Sequence, residues 1–171
     1  MTPSPIINPA AMNCPALTLT YRSPPVVSDI PGQTIVEGST FTTIALDGYV
    51  SDVEDSDSSI SWSYSGNSDL VVSIVGRVAS IGVPGVDWYG QETITFTAED
   101  TGGLSDSDSA VFTVSADNDV PVVGDIPDQT VVEGGSFSTI ALDDYVSDVE
   151  DVDSDIVWSF SGNSELSVII S

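Results

Sequence analysis

An internal repeat with a spacing of 96 residues constrains this chain more than any other feature. The segment IPGQTIVEG at 30–38 returns as IPDQTVVEG at 126–134. Between residues 25–75 and residues 121–171, 36 of the 51 aligned positions are identical. Agreement at this level indicates a tandem duplication, in which each repeat folds as one unit and contacts mainly its neighbours.

The duplication divides the chain into three parts. Residues 1–24 form an N-terminal extension, residues 25–119 form a complete first repeat, and residues 120–171 correspond to the N-terminal half of a second repeat. The second copy is therefore truncated relative to the first. Either a longer array continues it, or another chain completes it.

Apolar and polar residues alternate with a period of two within each repeat, and Gly, Pro, Asn and Asp separate the alternating runs. This pattern predicts short β-strands joined by turns, whereas no segment has a clear 3.6-residue helical period. About seven strands in a repeat of this length are typical of an immunoglobulin-like sandwich, so the fold class is predicted as all-β. The strands of the first repeat are predicted at 26–30 with 34–36, 41–46, 60–65, 70–75, 77–81, 93–98 and 110–115.

The charge of the chain limits its partners. It has 27 acidic residues, only two basic residues (Arg22 and Arg77) and no His, which gives a net charge of −25. Such a charge excludes nucleic acid and anionic membranes as expected partners. A hydrophobic content of 40% argues against disorder, and no apolar run approaches the roughly 18 residues that membrane insertion needs.

No catalytic constellation is visible, and we predict that the chain is not an enzyme. Without His or Lys a Ser has no usual base, and phosphate-binding loops and paired cysteines are absent from the sequence. Trp88 and Tyr89 have two interpretations. They form a sugar-stacking loop of a carbohydrate-binding module, or, more simply, Trp88 fills space between strands.

The motifs of the repeat resemble a known class. DIPDQTVVEG at 125–134, LDDYVSD at 142–148 and TITFTAED at 93–100 together resemble the cadherin-like and immunoglobulin-like tandem repeats of bacterial and archaeal surface and adhesin proteins. The resemblance implies tandem β-sandwich repeats of period 96, an extracellular location at the cell surface, and a mechanical role as a stalk or adhesin spacer. Its expected partners are neighbouring repeats of the same protein.

The same resemblance implies a calcium site between the repeats. Asp117-Asn118-Asp119-Val120-Pro121 resembles the cadherin linker, in which an Asn-Asp pair before a Pro binds calcium between domains. By this resemblance Glu37 and Asp100 belong to the repeat before the junction, and Asp148 comes from the repeat after it. Calcium is therefore the expected cofactor, and its binding is expected to stiffen the array.

Two copies of an acidic cluster add further candidate ligands. SDVEDSDS at 51–58 returns as SDVEDVDS at 147–154. Close carboxylates repel one another, and a divalent cation relieves that repulsion. The alternatives are a solvated acidic loop or adaptation to a salty medium. The candidate ligands in the clusters are Asp52, Asp55, Asp57, Glu150, Asp151 and Asp153.

The junction before the first repeat has a different chemistry. Arg22 and Ser23 occupy the places of Asn118 and Asp119. We therefore expect no equivalent metal site there, and we expect Arg22 to pair with a carboxylate of the first repeat.

The N-terminal extension contains an alternating segment, ALTLTY at 16–21. It is either an extended tail or edge strand, or a strand that completes another copy of the chain. In the second case the chain is the subunit of a self-assembling surface filament. The candidate assembly residues are Leu17, Leu19 and Tyr21, with Cys14 as a potential link between chains.

Overall fold

β-Strands and short 3-10 helices make up the regular structure of residues 21–171, which are the residues that the computed structural model describes. The prediction of an all-β chain is confirmed. The strands are β1 (Val26–Val27), β2 (Gln33–Val36), β3 (Ile44–Ala45), β4 (Val50–Ser51), β5 (Ser61–Ser65), β6 (Val71–Val75), β7 (Val78–Gly82), β8 (Gly90–Glu99), β9 (Ser105–Ser115), β10 (Val122–Val123) and β11 (Val146–Ser147). The 3-10 helices are Leu46–Tyr49, Asp57–Ser59, Leu142–Tyr145 and Asp153–Asp155.

Two sheets form the body of the first repeat. One has the strand order β2-β9-β8-β5 and the other the order β3-β7-β6. Strands β2 and β9 pair in parallel, from Gln33↔Phe112 to Val36↔Ser115, while the other neighbours are antiparallel. A separate antiparallel ribbon joins β1 to β4. Apolar side chains of both sheets meet in one core, so the sheets pack face to face.

The core follows from the alternation along the two longest strands. In β8 the inward side chains are Ile94, Phe96 and Ala98, and all three are fully buried. Phe112 of β9 is also fully buried, and its ring lies edge-on to that of Phe41 with the ring centroids 5.3 Å apart. Edge-to-face aromatic pairs of this kind add to the stability that burial alone supplies.

Strand β9 begins earlier than the sequence pattern predicts. Its first residues, SDSDS at 105–109, lack apolar side chains, yet they pair with β8 starting from Glu99↔Ser105. The carboxylates of this polar segment act as hydrogen-bond acceptors for the backbone. Asp106 Oδ2 accepts the Val27 N–H at 2.8 Å, and Asp108 Oδ2 accepts the Ile30 N–H at 2.7 Å.

Glu92 shows the same use of a carboxylate inside the fold. Its residue is only 8% exposed, and its oxygens accept the backbone N–H groups of the loop 68–70 and the hydroxyl of Ser68. Although burial by itself would raise the pKa of Glu92, these hydrogen bonds lower it below its ordinary value. The carboxylate therefore remains charged and fixes the loop before β6.

Two local features differ from the sequence pattern. The strand predicted at 41–46 is confined to β3, because Leu46 is fully buried as the first residue of a 3-10 helix. The hairpin between β6 and β7 turns at Gly76 and Arg77, with φ values of 56° and 63°. Two positive φ angles are typical of the type I′ turn, whose twist matches that of the flanking strands.

Residues 120–171 reproduce only part of the first repeat's structure, namely one two-stranded ribbon and two 3-10 helices, and their apolar face is open. The pair Val122↔Ser147 repeats the pair Val26↔Ser51. Within 120–171, all of which the structure describes, Val146 alone is buried. No strand equivalent to β8 or β9 covers this segment in the described chain, and a groove of about 1000 Å³ lies over the exposed residues. Its lining includes Phe137, Leu142, Trp158, Phe160, Leu166 and Val168.

A matched pair of substitutions measures this difference between the repeats. Phe41 is 8% exposed and contacts Phe112, whereas Phe137, at the equivalent position, is 50% exposed. We predict that Phe41→Ala lowers the free energy of unfolding by about 3–5 kcal/mol and that Phe137→Ala lowers it by less than about 1 kcal/mol. Urea unfolding followed by Trp fluorescence measures both. Equal losses would contradict the open face.

Candidate metal centre at the junction of the repeats

The acidic clusters form the same turn in both repeats. Asp52 Oδ1 accepts the N–H groups of Glu54 and Asp55 at 2.8 and 2.7 Å. Asp148 Oδ1 accepts the N–H groups of Glu150 and Asp151, both at 3.0 Å. An Asp side chain that caps the following backbone in this way builds an Asx turn. The second oxygen of each Asp is buried and has no hydrogen-bond partner among the described residues.

Three carboxylates meet between the two repeats. Oxygen atoms of Glu37, Asp119 and Glu150 all lie within 4.8 Å of one another. Glu37 directly follows β2 of the first repeat, Asp119 belongs to the linker, and Glu150 belongs to the acidic turn of the second repeat. The junction is therefore the place where carboxylates of three separate segments come together.

Backbone hydrogen bonds from the linker position two of these side chains, those of Glu37 and Glu150. Glu37 Oε1 accepts the Asp117 N–H at 2.5 Å, and Glu150 Oε2 accepts the Asp119 N–H at 2.9 Å. The linker is thus held on one side by the first repeat and on the other by the second. In the described chain the remaining oxygens, Glu37 Oε2 and Glu150 Oε1, are buried without a hydrogen-bond partner.

The electrostatics of the junction act against the charged form of Asp119. Burial raises the pKa of Asp119 above its ordinary value, and the negative charges of Asp87, Glu37, Asp148 and Asp117 raise it further. Asp87 is a member of this acidic group that the sequence did not reveal as a candidate. In the sequence, Asp87 is only one acidic residue in the loop before β8, and that loop is far from the linker along the chain.

The donor set fits a hard cation. Calcium takes six to eight oxygen ligands at 2.3–2.6 Å, so two oxygens on one ion are at most about 5 Å apart. The oxygens of Glu37, Asp119 and Glu150 satisfy that spacing. Such an ion would also give a partner to the buried oxygens Glu37 Oε2 and Glu150 Oε1, which lack hydrogen bonds in the described chain. These three residues, with Asp148 nearby, are those that would hold calcium.

The other predicted metal ligands, from the junction and from the acidic clusters, lie in different positions. Asn118 is exposed, and its amide donates to the Asp119 carbonyl at 2.8 Å. Asp117 is exposed and contributes its N–H to Glu37. Asp57 and Asp153 begin 3-10 helices and are exposed, and Asp151 is exposed as well.

The structure does not bring Asp100 to this junction, which corrects the position that the resemblance implied. Asp100 follows the end of β8 at Glu99, whereas Gly90, at the other end of β8, pairs with Val114 near the linker. Asp100 therefore lies at the N-terminal pole of the first repeat. Asp52 and Asp55 belong to that same pole, where Arg22 pairs with Asp55 at 2.7 Å as expected.

The candidate glycan and assembly residues lie elsewhere. Trp88 is partly buried and packs against the core, while Tyr89 is 48% exposed. Tyr21 is 81% exposed. Cys14, Leu17 and Leu19 lie outside the described residues.

The raised pKa of Asp119 predicts a specific dependence of stability on pH. Because the folded chain binds this proton more tightly than the unfolded chain, the stability of the metal-free protein falls as the pH rises from 3.8 through the raised pKa. Asp119→Asn should therefore stabilise the metal-free chain at neutral pH and have little effect at low pH. Urea unfolding in EDTA between about pH 3 and pH 7 measures this.

Asp55 provides a control, because its pKa is lowered whereas that of Asp119 is raised. Although burial would raise its pKa, hydrogen bonds from Thr101 and the charge of Arg22 lower the pKa below the ordinary 3.8. Its contribution to stability is present above 3.8 and is lost as the pH falls through the lowered pKa. Asp55→Asn should therefore destabilise the chain at neutral pH. Effects of the same sign for both variants would contradict these assignments.

Two wider comparisons complete the description of the site. Among residues 21–171, no helix has the length and apolar character needed to cross a membrane. Comparison of the chain with protein-family models and with curated proteins gives no match.

Proposed function

We propose that this chain is a structural segment of an extracellular surface protein, a stalk or adhesin spacer built from tandem immunoglobulin-like or cadherin-like β-sandwich repeats of period 96. In this proposal calcium binds between residues 25–119 and 120–171 and stiffens the array. The observation that carries the proposal is the meeting of Glu37, Asp119 and Glu150 within 4.8 Å.

The origin of the ligands explains how an ion would add stiffness. Each of the three carboxylates belongs to a different segment, so one ion would connect the first repeat, the linker and the second repeat. Without an ion, the like charges of the same groups repel and favour separation of the repeats. Since ligand binding to the folded form adds to its stability, calcium would favour a fixed junction over a mobile one.

The composition supports an extracellular setting for such a site. Extracellular calcium modules bind with dissociation constants of about 10⁻⁴–10⁻³ M, which is enough where calcium is abundant. No Lys competes for the carboxylates, since the chain has only Arg22 and Arg77 as cations. The motifs that resemble cadherin-like and immunoglobulin-like surface repeats point to the same location.

Thermal unfolding against calcium concentration tests the proposal. At calcium concentrations about 100 times the dissociation constant, binding adds about 2.7 kcal/mol to the free energy of unfolding, which raises the midpoint by several degrees. Asp119→Asn should abolish this rise. Asp29→Asn, which removes one charge from an exposed side chain, should retain it.

Magnesium at equal ionic strength is the control for the cation. Magnesium prefers smaller, octahedral sites and keeps several waters, so it should raise the midpoint less than calcium. An equal rise with both ions, or a rise that persists in Asp119→Asn, would show that the carboxylates are only screened. The calcium site would then be abandoned.

A second candidate function is assembly between chains, and the open face of the second repeat favours it. Leu166 and Phe137 are 60% and 50% exposed, whereas their equivalents Leu70 and Phe41 are 1% and 8% exposed. Large exposed apolar surfaces commonly mark interaction sites. In this candidate, strands from another copy cover the groove, and the chain is a subunit of a surface filament.

A peptide with the sequence of strands β8 and β9 tests assembly, because equivalents of these strands are missing over the open face of the second repeat. In the first repeat two strands, β9 and β8, lie between β2 and β5. We predict that the chain self-associates with increasing concentration in sedimentation velocity and that a peptide of residues 90–115 suppresses this association. A peptide with Phe96 and Phe112 replaced by Ser is the matched control. A chain that stays monomeric at every concentration would contradict assembly.

A further inference from the structure

Strand β6 (Val71–Val75) lies at an open edge of the sandwich. It pairs with β7 on one side, and no strand among the described residues pairs with it on the other. Its sequence, VVSIV, has β-branched residues at four of its five positions and no charge. Natural proteins commonly protect such an edge with Lys, Pro or a bulge, and β6 has none of these. A regular, uncharged edge of this kind is a template for pairing with another strand.

The other edges of the two sheets are less suited to such pairing. The edge of β2 is bridged to the following segment, because the Gln33 side chain accepts the Thr42 N–H at 2.9 Å and donates to the Thr42 carbonyl at 3.0 Å. Strand β3 has only two residues, and the outer side chains of β5 are serines. On β6 the outer side chains Val71 and Val75 are 63% and 76% exposed. Pairing at β6 would therefore remove apolar surface from water.

The β6–β7 turn determines which backbone groups of β6 face the open edge. Its two-residue loop makes the flanking residues Val75 and Val78 a hydrogen-bonded pair. Such pairs alternate along an antiparallel ladder, so every second residue from Val75 back to Val71 directs its N–H and C=O groups to β7. Val72 and Ile74 then direct these groups to the open edge, while their side chains pack in the core.

The outward groups of β6 are complementary to those of a second, antiparallel β6. With a two-fold axis beside Ser73, Val72 of each copy lies opposite Ile74 of the other, and each such pair exchanges two hydrogen bonds. Ser73 lies opposite its own equivalent as a non-hydrogen-bonded pair, and Val71 lies opposite Val75. Two copies of β6 thus give partners to all the outward N–H and C=O groups of both.

The charges near β6 fit the same arrangement. Asp69 lies two residues before the strand and Arg77 two residues after it, so the two-fold axis places Asp69 of one copy opposite Arg77 of the other. Arg77 uses Nε for Asp47 at 2.8 Å, and its guanidinium has further donors. The net charge of −25 opposes the approach of two copies. Strands β6 and β7 contain no acidic residue, so this repulsion is low along them.

We propose that β6 pairs with β6 of a second copy in antiparallel orientation about a two-fold axis at Ser73, so that the sheet β3-β7-β6 continues from one copy into the next. Because β6 has only five residues, this contact is smaller than a stable interface and requires a high local concentration of chains. The paired repeats point in opposite directions. The contact uses neither the junction nor the groove of the second repeat, so it holds or fails separately from both proposed functions.

Disulfide trapping at the two-fold axis tests this inference. The background is the full chain with Cys14→Ser, since Cys14 is the only cysteine. Non-hydrogen-bonded pairs have Cα atoms about 4.5 Å apart, a spacing that a disulfide accommodates. Ser73→Cys should therefore give a disulfide-linked dimer on mild oxidation, detected by non-reducing gel electrophoresis, with a yield that rises with chain concentration. Ser80→Cys is the matched control, because Ser80 lies beside Ser73 on the same exposed face but on β7, away from the edge.

Charge substitutions on the outer face of β6 test the register in the Ser73→Cys chain. Val71→Lys with Val75→Glu places Lys opposite Glu in both pairs and should retain the crosslink. Val71→Glu with Val75→Glu places Glu opposite Glu. Because like charges directly opposite each other destabilise a strand pair, the second variant should give about tenfold less dimer than the first. Circular dichroism verifies that both variants keep the β-fold.

The outcomes separate edge pairing from other contacts between copies. The inference would be overturned by equal dimer yields for Ser73→Cys and Ser80→Cys, by equal yields for the two charge variants, or by the absence of a dimer at every concentration. A peptide of residues 90–115 should leave the crosslink unchanged, and suppression by this peptide would assign the contact to the groove of the second repeat instead. Oxidation in EDTA makes the result independent of the proposed calcium site.

Discussion

The structure depends on carboxylates that find their partners in the backbone. With 27 acidic residues and two cations, salt bridges can serve only a small part of the negative charge. The fold instead directs carboxylates at N–H groups that would otherwise lack an acceptor, as Asp106 does for Val27 and Glu92 does for the loop 68–70. Hydrogen bonds to charged groups are stronger than neutral ones, and a buried N–H without a partner is costly. An acidic composition thereby becomes a means of fixing loops as well as a source of repulsion.

The sequence predicted those parts of the fold that follow from side-chain alternation. The buried strands β8 and β9 are visible in the pattern of Ile94, Phe96 and Phe112, and the all-β class follows from it. The polar start of β9 could not be found in this way, because SDSDS has no apolar side to mark a face. Its pairing depends on β8 and on the acceptor roles of Asp106 and Asp108, which are contacts between residues far apart in sequence.

The same is true of the candidate site. Residues within a local motif could be identified from the sequence, whereas residues brought together by the strand arrangement could not. Of the carboxylates that meet, Asp119 was a candidate from the linker motif, Glu37 from the resemblance and Glu150 from the recurring acidic cluster. Asp87 was not recognised as a candidate and Asp100 was assigned to the wrong end, because their positions depend on which end of the ten-residue strand β8 faces the linker. Asp87 precedes the end of β8 that lies near Val114, whereas Asp100 follows the opposite end. Only the direction of β8 in the sheet distinguishes these two carboxylates.

The acidic turn of the second repeat forms although its apolar face is open. Asp148 accepts the N–H groups of Glu150 and Asp151 in the same way that Asp52 serves its own turn, while Phe137 and Leu166 remain exposed. Local sequence therefore determines the geometry of the turn, because Asx turns need only their own residues. In the proposed array, a junction would therefore need only the end of one repeat, the linker and the acidic turn of the next, which are the segments that supply Glu37, Asp119 and Glu150.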